Sequence, residues 1–466
     1  MKKVLPVLAV LVTLGVFTLR SNAQVTLLAV GSLTGSSAGP NADLSGLSNT
    51  LENGAPAKLL GGFGSGIAWA SGNTFLAVPD RGPNAVPWAA ALDDTASYIE
   101  RFHTITMDLE PNSGAGLPFT LTPTLQSTTL FFSASPLVYG AGGKLDNTGN
   151  AIGSGVPPQN RPSRHYFTGR SDNFDPSQTS GNSRDARLDS EGIRLSNDGH
   201  FVYTSDEYGP YVNVWLRSSG QRVRSFRLPD SFFISNLSSM GGVEISGNIS
   251  GRVANKGMEG LAITPDGKTL VGIVQNALLQ DAAEGGAAAN LLRIVTIDAD
   301  TGKTTHQYAY LLTTGTGVSE IVALNQHEFV VDERDGKGRG AGNKAKIKQL
   351  FKIDLDGAVD VSDMDGISAA ANAVNKTLFL DIVSILSANG IAANQIPAKI
   401  EGLAFGSDVT YKGKTFHTLW VANDNDFLNQ VDDGTGHLIP NPTQFFVFGF
   451  TDADLGGSQF VPQEFK

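Results

Sequence analysis

The sequence predicts an all-β fold: a β-propeller of four-stranded blades with one inserted helix. Three observations predict it. A strand–turn–strand unit recurs along the chain, glycine is abundant at 54 of 466 residues, and long helical patterns are few. A unit of this kind cannot bury both of its faces alone, so its copies must pack in a stack or a ring.

The first copy is Ser65-Gly66-Ile67-Ala68-Trp69, leading to Val78-Pro79-Asp80-Arg81-Gly82. The second opens with Asp189-Ser190-Glu191-Gly192-Ile193, turns at Asn197-Asp198-Gly199 and ends in Ser205-Asp206-Glu207. The third runs from Met258-Glu259-Gly260-Leu261 through Pro265-Asp266-Gly267 to Val274-Gln275-Asn276. The fourth runs from Ser319-Glu320-Ile321 to Asp332-Glu333-Arg334-Asp335, and the fifth from Ile400-Glu401-Gly402-Leu403 to Asn423-Asp424-Asn425-Asp426. Further strand-like runs follow the copies, at 212–216, 222–228, 291–297, 304–311 and 350–353, so two strands and two more make a blade.

One clear strand, 444–451, follows the last copy, and residues 25–30 supply a spare one. Pairing the two would close the ring and remove an exposed edge. Successive copies start 126, 68, 61 and 81 residues apart. Five blades are readable, and the long first interval favours six. The Gly-, Pro-, Ser- and Asn-rich stretch 136–187 is then either the missing blade or a large surface loop. Residues 367–388 show helical spacing at Leu378, Ile382, Ile385 and Leu386, which predicts the inserted helix between the fourth and fifth copies.

Residues 1–23 read as a signal peptide, and 24–466 as the propeller domain. Lys2 and Lys3 precede an apolar run at 4–19, and Ser21-Asn22-Ala23 offers a small-residue cleavage site. Export to the periplasm or beyond the cell follows, with no membrane span left after removal of the leader. The chain has no cysteine, which excludes a thiol nucleophile and a thiolate metal site. The net charge is −11, and losing Lys2, Lys3 and Arg20 with the leader takes it to −14. Such a chain repels nucleic acid and needs counter-cations.

The first strand of each propeller blade lines the central channel. Glu191, Glu259, Glu320 and Glu401 hold the same place in four copies, so they are expected to converge near the axis. Residues two apart on a strand share a face, which adds Asp189 and Lys399. Asp80, Asp206, Glu207, Asp332, Glu333, Asn423 and Asp424 join them at one rim. Two like charges about 4 Å apart cost on the order of 4 kcal/mol at an effective dielectric near 20. Protonation, pairing with Arg or Lys, or a bound cation relieves that cost. The acids outnumber Arg81, Arg187, Lys256, Arg334 and Lys399, and hard oxygen ligands favour Ca²⁺. The metal candidates are therefore Asp80, Glu191, Asp206, Glu259, Glu320 and Glu401. A purely structural alternative stays open, in which the Glu-Gly pairs only bond the backbone of neighbouring blades.

At these residues the chain resembles the phytase-like family, described as having esterase-like activity of phytase. The matching stretches are 189–193 with 205–208, Asn255-Lys256-Gly257-Met258-Glu259-Gly260-Leu261, Lys399-Ile400-Glu401-Gly402-Leu403, Asp80-Arg81-Gly82-Pro83-Asn84 and Asp332-Glu333-Arg334. The resemblance implies an exported propeller related to calcium-dependent alkaline phytases, which use Ca²⁺ to hold phosphate and activate water.

The chemistry expected of such a site is hydrolysis of a small anionic ester. Arg81, Lys256, Arg334 and Lys399 are its substrate-binding candidates. Glu207 or Asp332 would be the general base, and His103 is the histidine nearest the first copy. Two alternatives are a non-catalytic ligand- or protein-binding propeller and a lactonase-type hydrolase with a single metal. Other motifs fall away. Gly35-Ser36-Ser37-Ala38-Gly39 has the nucleophile-elbow pattern but is followed by Pro40. Asp298-Ala299-Asp300-Thr301-Gly302 reads as a hairpin turn, and Gly336, Gly338, Gly340 and Gly342 as a surface loop.

Overall fold

The computed structural model describes residues 25–34, 42–140 and 155–466. Residues 1–23, the expected signal peptide, and the Gly-x-Ser-x-Gly stretch lie outside them. The described chain forms five antiparallel four-stranded sheets. Blade one is Gly66–Trp69, Thr74–Val78, Arg101–Pro111 and Phe119–Leu130. Blade two is Ser190–Leu195, Phe201–Asp206, Tyr211–Leu216 and Arg222–Arg227. Blade three is Met258–Ile263, Thr269–Val274, Leu291–Asp298 and Thr304–Leu311. Blade four is Gly317–Ala323, Glu328–Arg334, Lys348–Asp354 and Lys376–Asp381. Blade five is Ile400–Tyr411, Lys414–Asn423 and Thr443–Phe450, completed by the N-terminal strand Thr26–Leu33, which pairs antiparallel with Thr443–Phe450.

The turns follow from residue chemistry. Between the first two strands of blade two, the Asp198 carboxylate accepts from His200 N at 3.0 Å and Gly199 takes φ +72°, a conformation that side chains resist. The equivalent turn of blade three has Asp266 accepting from Lys268 N at 3.0 Å and Gly267 at φ +76°.

The five innermost strands touch one another in sequence, and the fifth returns to the first, so the ring is complete with five. The recurrent glycine of the Glu-Gly pairs makes this packing possible. A Cβ at Gly192 would lie 2.7 Å from Leu261 N, one at Gly260 2.8 Å from Ile321 N, and one at Gly402 2.9 Å from Gly64 O. These separations leave no room for a methyl group between the inner backbones.

Two expectations are corrected here. The favoured sixth blade does not form. Among the described residues of 136–187, the only strand is His165–Tyr166, paired with Phe132–Ser133. The described residues of this stretch form a loop that packs beside blade two, where Phe167 and Trp215 meet edge to face at 5.3 Å. Residues 367–388 are not one helix but the short helices Gly366–Ala370 and Ile382–Ala388 on either side of the outer strand of blade four. Sheet completion outweighs helical spacing there: Leu378 pairs with Phe351 and is 54% exposed.

At the axis, Arg194 donates to the carbonyls of Ile67 (2.8 Å), Ile193 and Ile321 (2.8 Å), spanning blades one, two and four. Its charge is matched by Glu320 Oε2 at 3.1 Å, and both side chains are buried. Below this pair runs the C-terminal tail. Val461 N bonds Leu324 O, Glu464 N bonds Pro265 O and Lys466 N bonds Asn197 O, while Phe460 packs on Phe405 and Phe465 on Trp69. The tail thus contacts all five blades and leaves a cavity of about 50 Å³ between itself and Arg194.

Ring closure rests on apolar contacts of the N-terminal strand, including fully buried Leu28. Leu28→Ala is expected to lower unfolding stability by about 2–5 kcal/mol, read by chemical denaturation. A loss below roughly 1 kcal/mol would mean that the strand does not carry closure.

Candidate metal-binding site at the channel mouth

The opposite end of the channel opens into a cavity of about 390 Å³. Its walls come from the starts of the innermost strands and the ends of the second strands. Four innermost strands have a register shift at their start: between Ser190 and Ile193, Met258 and Gly260, Val318 and Glu320, and Ile400 and Leu403. Such bulges re-aim side chains next to functional sites. Blade one pairs regularly from Gly66 to Trp69, and it is the copy without a glutamate.

Glu191, Glu259 and Glu401 line the mouth with Asp80, Glu207 and Asp335. Arg81, Lys256, Arg334 and Lys399 line it too. Asp189, Glu191 and Glu207 each offer a carboxylate oxygen within 4.8 Å of the others. Around this triad the partners are specific. Arg81 holds Asp189 through its backbone N–H (3.0 Å) and Nη1 (2.9 Å), joining blades one and two. Gly257 N donates to Glu207 at 3.0 Å, joining blades two and three. Gln275 holds one oxygen of Glu259 at 2.6 Å, and the other, Oε2, is buried with no hydrogen-bond partner. Arg334 pairs with Glu401 and donates to Ser319 Oγ at 2.8 Å. Lys399 pairs with Asp424 at 2.7 Å and Asp426 at 2.5 Å.

Desolvation dominates the electrostatics. It pushes Asp80 to about 7, with Lys399 opposing. It raises Glu207 to about 7, helped by the Asp189 charge. Burial first, then Glu259, Asp189 and Glu207, pushes Glu191 well above the carboxylate range, and Glu259 is raised by burial and by Glu207. The donor set fits a hard divalent cation: three carboxylates close together, a further buried orphan oxygen on Glu259, and no histidine among the lining residues. Asp189, Glu191 and Glu207 would hold it.

The remaining candidates sit elsewhere. Glu320 turns away from the mouth: its Oε1 accepts from Leu261 N (2.9 Å) and Ile321 N (3.0 Å), and its charge faces Arg194. This one glutamate of the four takes the inter-blade backbone role. Asp206 lies behind the site, accepting from Asp189 N (3.2 Å) and Tyr208 N (2.9 Å), and so orients the triad from below. Asp332 is fully buried, with both oxygens lacking hydrogen-bond partners, and does not line the cavity. His103 is buried on the third strand of blade one, bonded to Thr128 Oγ1 at 3.0 Å and pushed to about 4 by burial, away from the mouth. Sequence reasoning passed over Gln275 and Asn84 as lining groups and Arg194 as the axial cation. Its signal was an arginine between the apolar Ile193 and Leu195 of the strand Ser190–Leu195.

Fold and site together define a propeller protein with a carboxylate-rich, metal-competent mouth. A family model described as phytase-like, with esterase-like activity of phytase, matches residues 58–427. The chain belongs to this family. An uncharacterised secreted protein of Arthroderma benhamiae is 28% identical over 452 residues, covering 82% of this chain and 85% of that protein. Among solved structures, the periplasmic gluconolactonase of Pseudomonas aeruginosa is similar at 11% identity and a TM-score of 0.32, over 90% of this chain and 98% of that one. A putative 6-phosphogluconolactonase from Bacteroides uniformis is similar at 12% identity and a TM-score of 0.31, over 82% and 88%. Likeness at these TM-scores carries nothing about chemistry. No helix among the described residues is long and apolar enough to cross a membrane.

Two outcomes follow from the electrostatics. Asp80 and Glu207 keep their protons to about pH 7 when folded, against ordinary values of 3.8 and 4.5. The native state then binds more protons than the unfolded one between those limits, so metal-free stability falls as pH rises from about 4 to about 7. Asp43 and Glu244, whose values are lowered, contribute a nearly constant amount only above about pH 5, and His103, lowered from 6.5 to about 4, opposes the fall in part, one group against the two raised acids. Melting in chelator should therefore occur at higher temperature at pH 5 than at pH 8; equal or reversed values would contradict the buried placement. Arg194→Ala leaves Glu320 without its counter-charge and is expected to cost about 3–5 kcal/mol, measured by denaturant unfolding. Arg194→Ala with Glu320→Gln should recover part of that loss.

Proposed function

We propose that this protein is an exported, calcium-dependent hydrolase of small anionic esters, phosphoesters foremost, acting at the channel mouth. The observation that carries the reading is the Asp189, Glu191 and Glu207 cluster within 4.8 Å, of which Glu191 and Glu207 line one cavity with four basic side chains. Family membership supports ester hydrolysis. The secreted relative supports export.

When bound, a cation at the triad supplies charge neutralisation and lowers the pKa of water. The chain's own residues do the rest. Lys256 lines the cavity, and its ammonium makes no ion pair among the described residues, so it is the cation free to draw in the anion. Arg81 and Arg334 are already engaged with Asp189 and Glu401, and their remaining N–H groups bound the space the ester can occupy. Glu259, with one oxygen fixed by Gln275 and the other unpartnered, is placed to take the proton of the attacking water. That proton then passes to the leaving alkoxide as the ester bond breaks.

A second reading is a one-metal, lactonase-type hydrolase. It is favoured by the single metal-competent cluster among the described residues.

Calcium at a hundredfold excess over its dissociation constant should stabilise the protein by about 2.7 kcal/mol in thermal melting. Glu191→Gln should weaken calcium binding by roughly 100-fold. A panel of aryl phosphates, carboxyesters and lactones, assayed with calcium and with chelator, tests the activity. Chelator-sensitive phosphoester turnover supports the first reading, lactone turnover alone the second, and no turnover of any member sinks both.

A further inference from the structure

A second chamber, of about 210 Å³, opens beside the mouth cavity and shares Arg81 and Asn255 with it. Its floor is Tyr208, the residue directly after Glu207 of the triad. Its walls are loops pinned by buried hydrogen bonds. Asp93 accepts from Ser171 Oγ (2.5 Å), Thr95 Oγ1 (2.6 Å) and Asp172 N (3.1 Å), and Ser171 N donates to Thr95 Oγ1 at 2.6 Å. On the far side, Glu244 is tied to Arg252 at 2.7 Å and accepts from Ser238 N at 2.9 Å. The chamber is therefore pre-formed, as binding pockets usually are.

We infer that this chamber binds a neutral, polyhydroxylated group, the alcohol portion of the ester whose anionic part sits at the mouth. The inference rests on the reading given under Proposed function for its link to catalysis, but the binding stands apart from it. The hydroxyl protons of Ser171, Thr95 and Tyr208 are already donated, to Asp93 and to Gly169 O (3.0 Å). What these groups have left to offer is oxygen lone pairs. Asp94, exposed on the rim, adds a carboxylate. Donors face these acceptors: Arg81 Nε is buried without a partner, and the Asn255 amide and the Ser238 hydroxyl line the same space, so a ligand hydroxyl can be met both as donor and as acceptor. The Asp94 carboxylate at the rim disfavours a second phosphate or carboxylate. Arg81 does not reverse this, because its charge is matched by Asp189. The apolar part of the lining, the Tyr208 ring with Ala254 and Gly241, offers a face on which the C–H side of such a group can lie.

The test uses sorbitol as the probe, by saturation-transfer NMR on the whole protein, with Ala254→Trp to fill the chamber and Asp94→Asn to exchange one exposed carboxylate oxygen for a donor. Wild type should saturate sorbitol, Ala254→Trp should lose at least about tenfold in affinity, and Asp94→Asn should weaken binding several-fold. Absence of transfer to wild type, or equal transfer to all three proteins, overturns the inference. Because Asp94 is exposed, its variant keeps the test decisive if the tryptophan perturbs folding. In kinetics, the ratio of kcat/KM for sorbitol 6-phosphate over phenyl phosphate should fall about tenfold in Ala254→Trp. An unchanged ratio overturns the assignment of the chamber to the leaving alcohol. If wild type hydrolyses neither ester, the hydrolase reading fails, and sorbitol binding alone still decides the chamber.

Discussion

Five strands that start side by side around a narrow axis bring buried carbonyl groups together there, and those groups need donors. Arg194 answers for three of them at once, and Glu320 answers for the charge of Arg194 while accepting two further backbone N–H groups. Taking both ions out of water is expensive, and only a full set of hydrogen bonds offsets it. The pair also divides the channel. The guanidinium at the axis is spent on Glu320, so it does nothing to neutralise the acids above it. The mouth is left with its own imbalance, and that imbalance is what makes it metal-competent.

The same local device builds both halves. Each glutamate-bearing strand starts with an irregular register, and the neighbouring glycine lets the next inner strand approach within backbone contact. In blades two, three and five the irregularity aims the carboxylate into the mouth. In blade four, where Ile321 replaces the glycine, the glutamate turns back toward the axis. A single position in the repeat thus carries either a site residue or a structural one.

That distinction explains how far the sequence could be read. The five copies, the closing N-terminal strand and the convergence of Glu191, Glu259 and Glu401 are all legible, because strand period and turn residues report them directly. Glu320 was grouped with them because its position in the repeat is the same. Its different fate depends on Arg194, a contact from another blade that periodicity does not encode. His103 and Asp332 show the same limit, since nearness in sequence to a rim strand says nothing about depth. Leu378 illustrates a conflict between levels, where a helical spacing lies on a strand that the sheet of blade four needs for completion. Asp189 was recognised as sharing a face with Glu191, but its closeness to Glu207 required the bulge.

The C-terminal tail seals the ring from below, touching every blade under the axial pair. Among the described residues the channel is consequently a vessel, closed at the tail end, rather than a tunnel. Whatever enters past Lys256 must leave past it, so an anionic product and the next incoming anion contend for the same ammonium. If the mouth turns over an anionic ester, traffic in such a vessel is governed by departure as much as by arrival, and its product competes with the next substrate.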